Sequence, residues 1–326
     1  MITGNEALRV VNNYREHVRD QSRIETLGQE FPSYAQRLGN NAIRLFRADL
    51  NETGAFKWRG AIVGATSLAE QGVQHIIVPS AGNHARGAVW AARELGIAVT
   101  AVVPTTAPAQ KSEKLRELWD DSRLTIKVVG ESFDESLTWA LAQTDGKILH
   151  PFGELVIPGQ GTVVDDVLAR FPDVENIVTA IGGGGLAAGM LRRLEELGRT
   201  DIQIIGAEAE GSNSARKSLA AGDLQPADAP NLRYGGSAVR RMGEQALGIF
   251  ARSSNFQILP VPEHDVDELI KLYSQDREQN LQNTWPNLEP TSLVAVAAMR
   301  QQRRNRPTVV IATGHNDTLP KVALAA

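Results

Sequence analysis

The 326-residue chain contains no cysteine, which excludes disulfide bonds, thiolate metal ligands and cysteine nucleophiles. No apolar run approaches the length of a membrane-spanning helix, and the N-terminus carries no apolar leader segment. The formal net charge of −4 provides no basic field for nucleic acid. Together these absences favour a cytoplasmic protein that binds small molecules, with neither nucleic acid nor membrane among its partners.

Two common kinds of catalytic site are also missing. The six histidines show neither the HxxxH nor the HExxH spacing of zinc sites, so we predict no metal. No GxSxG sequence is present, which argues against a serine hydrolase with a nucleophile elbow.

From about residue 72 onward, short apolar runs alternate with amphipathic stretches. Residues 75–78 are typical of a buried strand, 83–95 carry apolar side chains at helical spacing, and 97–103 form a second apolar run. This order predicts parallel strands covered by helices. We therefore expect an α/β fold with two lobes, a cleft between them, and ligands at the carboxyl ends of strands.

Four consecutive glycines, Gly182, Gly183, Gly184 and Gly185, follow a predicted strand at 176–181 and precede a predicted helix that begins at Leu186. Glycines let the backbone approach a ligand, and a helix start offers free N–H groups to a phosphate. The alternative is a flexible connector. The stretch lacks the GxGxxG and P-loop patterns, although Glu208 at the next strand end keeps a dinucleotide site as a weaker alternative.

Lys57 lies between Phe56 and Trp58, shortly after Gly54 and Ala55. Apolar neighbours would desolvate its amine, lower its pKa and favour Schiff-base chemistry. The alternative is an ordinary solvated lysine. A second segment, Ser80–Ala85, follows the strand that ends at Pro79, and its Asn83 is either a functional group or simply a helix N-cap.

Six short motifs occur in an order that identifies a family. They are Gly54–Ala61, Pro79–Ala85, Pro151-Phe152, Gly159-Gln160-Gly161-Thr162, Gly182–Gly185 and Ala312–Asn316. The chain resembles the fold-type II enzymes that use pyridoxal 5'-phosphate (PLP), the tryptophan synthase β-like class, and within it the serine/threonine dehydratase (ammonia-lyase) and serine racemase branch. The resemblance runs from about residue 50 to 316. It implies a homodimer, twisted parallel-rich sheets with helices on both faces, a large cofactor-binding domain (1–71 with 149–326) and a small α/β domain (72–148).

The resemblance also implies a role for individual residues. Lys57 would bind PLP and act as the base at the substrate Cα, and Phe56 would pack on the pyridine ring. Asn83 would donate to the ring 3'-oxygen, and Thr313 would meet the ring nitrogen, which a neutral hydroxyl leaves largely unprotonated. Gly182 to Gly185 with Leu186 would hold the phosphate. The substrate carboxylate would bind the segment made of Ser80, Ala81, Gly82, Asn83 and His84.

The activity that the resemblance implies is α,β-elimination from a β-hydroxy amino acid such as threonine or serine, giving a 2-oxo acid and ammonia. One alternative is β-replacement or threonine-synthase-like chemistry, and another is a non-catalytic PLP-binding protein. Ala81 stands where racemases of this branch carry a serine, so elimination is favoured over racemisation. Arg86 either selects a second substrate carboxylate, as in hydroxyaspartate, or faces solvent on its helix.

Two further departures concern metal binding and the substrate. Metal-activated relatives pair an acidic residue at the place of Glu208 with another six positions later, but Ser214 stands there, so a divalent cation is not expected. The string Thr313-Gly314-His315 looks more like threonine synthases than like dehydratases.

Overall fold

The computed structural model describes residues 1–26, 31–38, 43–279, 287–301 and 306–319. The strands are β1 (Ile24–Thr26), β2 (Ile43–Arg47), β3 (His75–Pro79), β4 (Ala98–Val103), β5 (Leu124–Val128), β6 (Lys147–Ile148), β7 (Asn176–Ala180), β8 (Gln203–Ala209), β9 (Phe256–Val261) and β10 (Thr308–Ala312). The α-helices are α1 (Gly4–Tyr14), α2 (Pro32–Leu38), α3 (Trp58–Glu70), α4 (Asn83–Leu95), α5 (Ala109–Leu118), α6 (Phe133–Leu141), α7 (Ile157–Gly161), α8 (Val163–Arg170), α9 (Gly185–Glu196), α10 (Ser214–Ala221), α11 (Glu244–Arg252), α12 (Glu263–Gln279) and α13 (Pro290–Ala297). Among these helices, none is both long and apolar enough to cross a membrane.

The chain divides into two compact units, the first made of 1–20 and 51–162, the second of 21–50 and 163–326. The predicted small domain, 72–148, covers only part of the first unit. The difference has a physical reason: α3 packs closely on α4, which lies in the predicted small domain, since a Cβ on Gly87 of α4 would lie 3.0 Å from the main-chain nitrogen of Trp58. The helices α3 and α7 are also in close contact. A Cβ on Gly60 would lie 2.7 Å from the Val156 carbonyl oxygen, and one on Gly159 would lie 2.3 Å from that of Arg59.

The first unit contains a four-stranded sheet in the order β5-β4-β3-β6, with every pair parallel. Isoleucine and valine fill the buried central strand β3, and the helices packed on it bury Trp58 and Trp90 completely. These two indole rings meet edge to face with centroids 5.7 Å apart, a favourable aromatic geometry. The predicted strand 75–78 and helix 83–95 thus correspond to β3 and α4.

The second unit contains a six-stranded sheet in the order β1-β2-β10-β7-β8-β9. Only the β1–β2 pair is antiparallel among the described strands; the other neighbours are parallel. The predicted α/β class with parallel-rich sheets is therefore confirmed. Because β2, β10 and β7 are adjacent and parallel, the segments that follow them start from the same edge of the sheet.

Candidate active site

Lys57 lies in the first unit at the start of α3, half-buried, in the N-cap position. Its Nζ donates a hydrogen bond to the Pro151 carbonyl oxygen at 3.1 Å and lies 5.0 Å from the centroid of the buried Phe56 ring. The amine is therefore partly removed from water, and a neutral carbonyl oxygen accepts from it. This surrounding fits the desolvated lysine that the sequence predicts.

The Pro151 carbonyl has a second donor, the side chain of fully buried Gln160, whose Nε2 lies 3.2 Å from the same oxygen. Gly87 of α4 completes the support, because a Cβ there would lie 3.1 Å from the Lys57 carbonyl carbon. The position of Lys57 is thus determined by α4 on one side and by the 151–160 segment on another. Gln160 belongs to one of the six sequence motifs, but the sequence alone did not indicate its role.

The turn from β3 into α4 contains the five predicted carboxylate-binding residues. Gly82 is the N-cap and Asn83 is the first helical residue, so Asn83 is not the N-cap that the alternative interpretation required. Ser80 Oγ accepts from the Gly82 N–H at 3.2 Å, and no side chain caps the helix start. An uncapped start of a 13-residue helix suits an anion such as a carboxylate.

His84, the second residue of α4, is 3% exposed. Its Nε2 lies 2.7 Å from the Leu149 carbonyl oxygen and must carry the proton, while its Nδ1 has no partner within the described residues. Burial, together with the nearby charge of Lys57, lowers the pKa of His84 to about 3. The same two causes lower the pKa of His150 to about 4, so both imidazoles are neutral near pH 7.

In the second unit, the four glycines form the turn from β7 into α9, as predicted. Gly184 is the N-cap with φ +83°, a left-handed conformation that favours glycine. A Cβ on Gly182 would lie 2.2 Å from the Gly236 carbonyl oxygen, and Gly183 accepts from the Gly243 N–H at 3.0 Å. No side chain caps the start of α9. This narrow backbone cradle fits a phosphate group.

Thr313 directly follows β10, on the strand next to β7, and is buried. Its Oγ1 lies 3.2 Å from Ser292 Oγ and 3.4 Å from Glu289 Oε1, and its N–H donates to Ser292 Oγ at 2.9 Å. Both partners belong to the start of α13. Sequence reasoning missed them, because no local pattern connects positions 289 and 313; the only signal was the Glu289-Pro290 pair, which is typical of a helix start.

A histidine held by a buried ion pair lies at the same edge of this sheet. Arg47 makes a bidentate pair with Asp49, with distances of 2.9 and 2.8 Å, and both side chains are fully buried. His315 Nδ1 lies 3.0 Å from Asp49 Oδ2. Burial disfavours the Asp49 charge, but the hydrogen bonds from Arg47 and His315 outweigh it and hold the Asp49 pKa below its ordinary value.

Glu208, at the end of β8, caps a helix. Its carboxylate accepts from the N–H groups of Ala215 and Arg216, at 2.7 and 3.2 Å, in the first turn of α10. Burial nevertheless raises the pKa of Glu208 to about 7, because two neutral donors offset only part of the desolvation. Across the described part of the chain, no three histidine, aspartate or glutamate side chains cluster as metal ligands would.

One interpretation of the sequence had Arg86 of α4 facing solvent. In the structure its side chain is half-buried and bonded to main-chain carbonyls. Its Nε donates to the Thr53 carbonyl oxygen at 2.9 Å and its Nη1 to that of Lys114 at 3.0 Å. Burial lowers its pKa. The side chain therefore ties the segment before Lys57 to α5.

The predicted site residues thus fall into two groups, one in each unit. Phe56, Lys57 and the segment 80–84 belong to the first unit, and the glycine cradle, Leu186 and Thr313 belong to the second. Each group gathers at the carboxyl ends of parallel strands or at the helices that follow them.

A glycine turn that fits a phosphate, a half-buried lysine and a buried hydroxyl at a strand end are features typical of a PLP enzyme. The sequence matches the family described as "Pyridoxal-phosphate dependent enzyme" over residues 23–314, and the chain belongs to that family. The predicted family and its cofactor are therefore confirmed.

Three relatives show the range of similarity. A biosynthetic L-threonine dehydratase of Lactococcus lactis is 30% identical over 86% of this chain and 68% of its own length. An L-threo-3-hydroxyaspartate ammonia-lyase of a Pseudomonas species is 27% identical over 96% of this chain and 98% of its own. The structure of processed threonine deaminase isoform 2 from Solanum lycopersicum superposes with a TM-score of 0.80 at 27% identity, covering 97% of this chain and 85% of that one. Aligned regions cover 47% to 68% of the length of six curated threonine dehydratases and ammonia-lyases.

Proposed function

We propose that this protein is an ammonia-lyase that converts a β-hydroxy amino acid, such as threonine or serine, into a 2-oxo acid and ammonia. One water is lost in the elimination and one is consumed in the release of ammonia, so the reaction balances. Bound PLP supplies an electron sink that makes the Cα proton removable. The observation that carries the proposal is the half-buried Lys57 amine, which donates to the Pro151 carbonyl oxygen and lies beside the Phe56 ring.

Within this proposal the chain's own residues bind, orient and transfer a proton. Lys57 would hold the cofactor covalently, and its free amine would take the substrate Cα proton. Phe56 would pack on the ring, and Asn83 would donate to the 3'-oxygen. The uncapped start of α4, with residues 80–84, receives the substrate carboxylate. The glycine cradle and the N–H of Leu186 would bind the phosphate, and Thr313 would face the ring nitrogen.

The contacts of Arg86 support threonine or serine over hydroxyaspartate, because main-chain carbonyls already engage its Nε and Nη1. β-Replacement is the second candidate. The contact between His315 and Asp49 favours β-replacement. It fixes the position of His315, and His315 is part of the 313–315 string that resembles threonine synthases.

The test is ammonia and 2-oxo acid release by the PLP-loaded protein from threonine, serine and 3-hydroxyaspartate. We expect release from threonine or serine without any added nucleophile, and loss of all release in Lys57→Ala. Lys147→Ala, which removes an exposed lysine of β6, is the matched control and should keep full activity. Full turnover by Lys57→Ala would refute the proposal, and product that forms only with an added nucleophile would favour β-replacement.

A homodimer and a cytoplasmic location belong to the same proposal and rest on the family resemblance and the sequence composition. Light scattering of the purified protein measures the first, and a monomer at micromolar concentration would contradict it.

A further inference from the structure

The Pro151 carbonyl oxygen lies between β6 and α7, and Pro151 belongs to neither element. Its direction is therefore not fixed by the hydrogen bonds of a sheet or a helix. A carbonyl oxygen has two lone pairs, and two side chains donate to this one: Lys57 Nζ at 3.1 Å and Gln160 Nε2 at 3.2 Å. The carbonyl thus connects a half-buried amine with a fully buried amide.

The Gln160 amide can orient this carbonyl because its own position is fixed. The side chain packs on α3 at Gly60, where an added Cβ would lie 2.8 Å from Gln160 Cγ and 3.2 Å from Nε2. The Gln160 N–H donates to the Val156 carbonyl oxygen at 3.1 Å, which fixes the main chain as well. Nε2 must be the atom that faces Pro151, because two acceptor oxygens would repel each other.

The other end of the amide is not what a purely structural role requires. Gln160 Oε1 is buried and has no hydrogen-bond partner among the residues that the structure describes. A buried acceptor without a partner costs free energy, and an apolar side chain of the same length, such as methionine, would avoid that cost. A side chain that burial penalises, and whose donor acts on the acceptor of a reactive amine, points to a function of that donor.

We propose that Gln160 is a positioning residue that acts through the Pro151 carbonyl to orient the Lys57 amine. The inference rests on the part of the proposed function in which Lys57 holds the cofactor. A neutral amine that donates one N–H to a fixed oxygen presents its lone pair away from that oxygen. This lone pair is the part of Lys57 that condenses with the PLP aldehyde and accepts the Cα proton, and a misdirected lone pair slows both steps.

The experiment compares the full-length wild type with Gln160→Met, which keeps the length of the side chain and removes the donor. Each protein is freed of cofactor, mixed with PLP and quenched with borohydride at intervals, and peptide mass mapping measures the label on Lys57. We expect coupling at Lys57 to be about tenfold slower in Gln160→Met, and kcat of the loaded enzyme to fall by a similar factor with KM unchanged. The exposed Lys147 should be labelled at the same rate in both proteins.

Thr162→Val is the matched control. Thr162 follows α7 directly, is also fully buried and also donates to a main-chain carbonyl oxygen, that of Gly159 at 2.7 Å. This variant should lower the stability of the protein but leave the rate of coupling at Lys57 unchanged. A second readout separates orientation from general damage: pyridoxine 5'-phosphate, which has no aldehyde, should bind Gln160→Met as tightly as it binds the wild type.

The outcomes separate this inference from the proposed function. Equal coupling rates and equal kcat in wild type and Gln160→Met overturn the inference and leave the proposed function intact, and so does slower coupling that is accompanied by weaker binding of pyridoxine 5'-phosphate. Slower coupling alone, in a protein whose wild type releases no ammonia, supports the inference and refutes the proposed function. No coupling at Lys57 in the wild type overturns both. If Gln160→Met fails to fold, Gln160→Asn decides, because its amide is one methylene too short to reach Pro151.

Discussion

In the first unit the chain turns from β3 into α4 through residues 80–82, and in the second it turns from β7 into α9 through residues 181–184. Both turns leave a buried parallel strand and start a helix that no side chain caps. The two turns differ in the free space around their glycines. A Cβ on Gly82 would meet no described atom within 4 Å, whereas one on Gly182 would lie 2.2 Å from the Gly236 carbonyl oxygen.

The difference shows how similar helix starts can serve two kinds of ligand. The crowded turn is held by neighbouring backbone on several sides, which suits a phosphate that always binds in one position. The open turn leaves room for a substrate that must enter and leave. Variants at three glycines of these turns test this contrast, and Glu208 adds a test at another strand end; they are given from the largest expected effect to the smallest.

Gly182→Ala should have the largest effect. The added methyl would overlap the Gly236 carbonyl oxygen, and we expect a loss of about 3 kcal/mol in the free energy of unfolding together with loss of PLP binding. Urea unfolding and cofactor titration measure the two losses. The control is Gly248→Ala, an exposed helical glycine with open space, which should gain about 0.5 to 1 kcal/mol. Equal stabilities for the two variants would remove the distinction between crowded and open glycines.

Glu208, at another strand end, should make stability depend on pH. Its pKa is about 7 in the folded protein against 4.5 in the unfolded chain, so the folded state binds the proton more tightly. Its contribution is therefore fully present below pH 4.5 and lost as the pH rises to about 7, by roughly 3 kcal/mol. Unfolding measured from pH 4.5 to 8 should show this decline in wild type relative to Glu208→Gln. Parallel pH profiles for the two proteins would contradict the assignment.

Gly184→Ala combines strain with crowding. The left-handed φ and the 2.8 Å approach to Ala246 Cβ should together cost about 2 kcal/mol. Gly198→Ala isolates the strain, because its φ is +66° but a Cβ there meets nothing within 4 Å; we expect about 1 kcal/mol. Thermal unfolding of both variants gives the difference. No difference would mean that crowding at the cradle costs nothing.

Gly82→Ala should leave stability within about 0.5 kcal/mol of wild type. If substrate occupies the open space, KM should rise roughly tenfold, which corresponds to ~1.4 kcal/mol. The contrasting variant in the same helix is Gly87→Ala. Its methyl would lie 3.0 Å from the main-chain nitrogen of Trp58 and would displace the Lys57 backbone. Unchanged KM in Gly82→Ala would separate the open turn from substrate binding.

The sequence predicts the elements of both turns where the pattern involves neighbouring residues. Apolar runs and turn residues predicted β3, α4 and the glycine turn, because strands and helices differ in period and glycine has few roles at a strand–helix junction. The dividing line between the units was not readable. It depends on the close packing of α3 on α4, which Gly87 permits by its approach to the main chain of Trp58 some thirty positions earlier.

The supporting residues of the site escaped prediction for the same reason. Gln160 and Lys57 both donate to the Pro151 carbonyl oxygen although they are far apart in sequence, and Glu289 meets Thr313 across 24 positions. For Asn83 the sequence leaves a functional group and a helix N-cap open. The structure makes it the first helical residue, one position away from the N-cap, which patterns cannot resolve.

The buried Arg47–Asp49 ion pair limits how this protein can be redesigned. Both side chains are fully buried, so replacing only one of them would leave the other charge buried without its bidentate partner, at a cost of roughly 3 to 5 kcal/mol. Positions 47 and 49 should be exchanged in a single step, to two apolar residues of matching volume. Such a double substitution would remove the contact between the His315 imidazole and Asp49 and should leave the sheet intact.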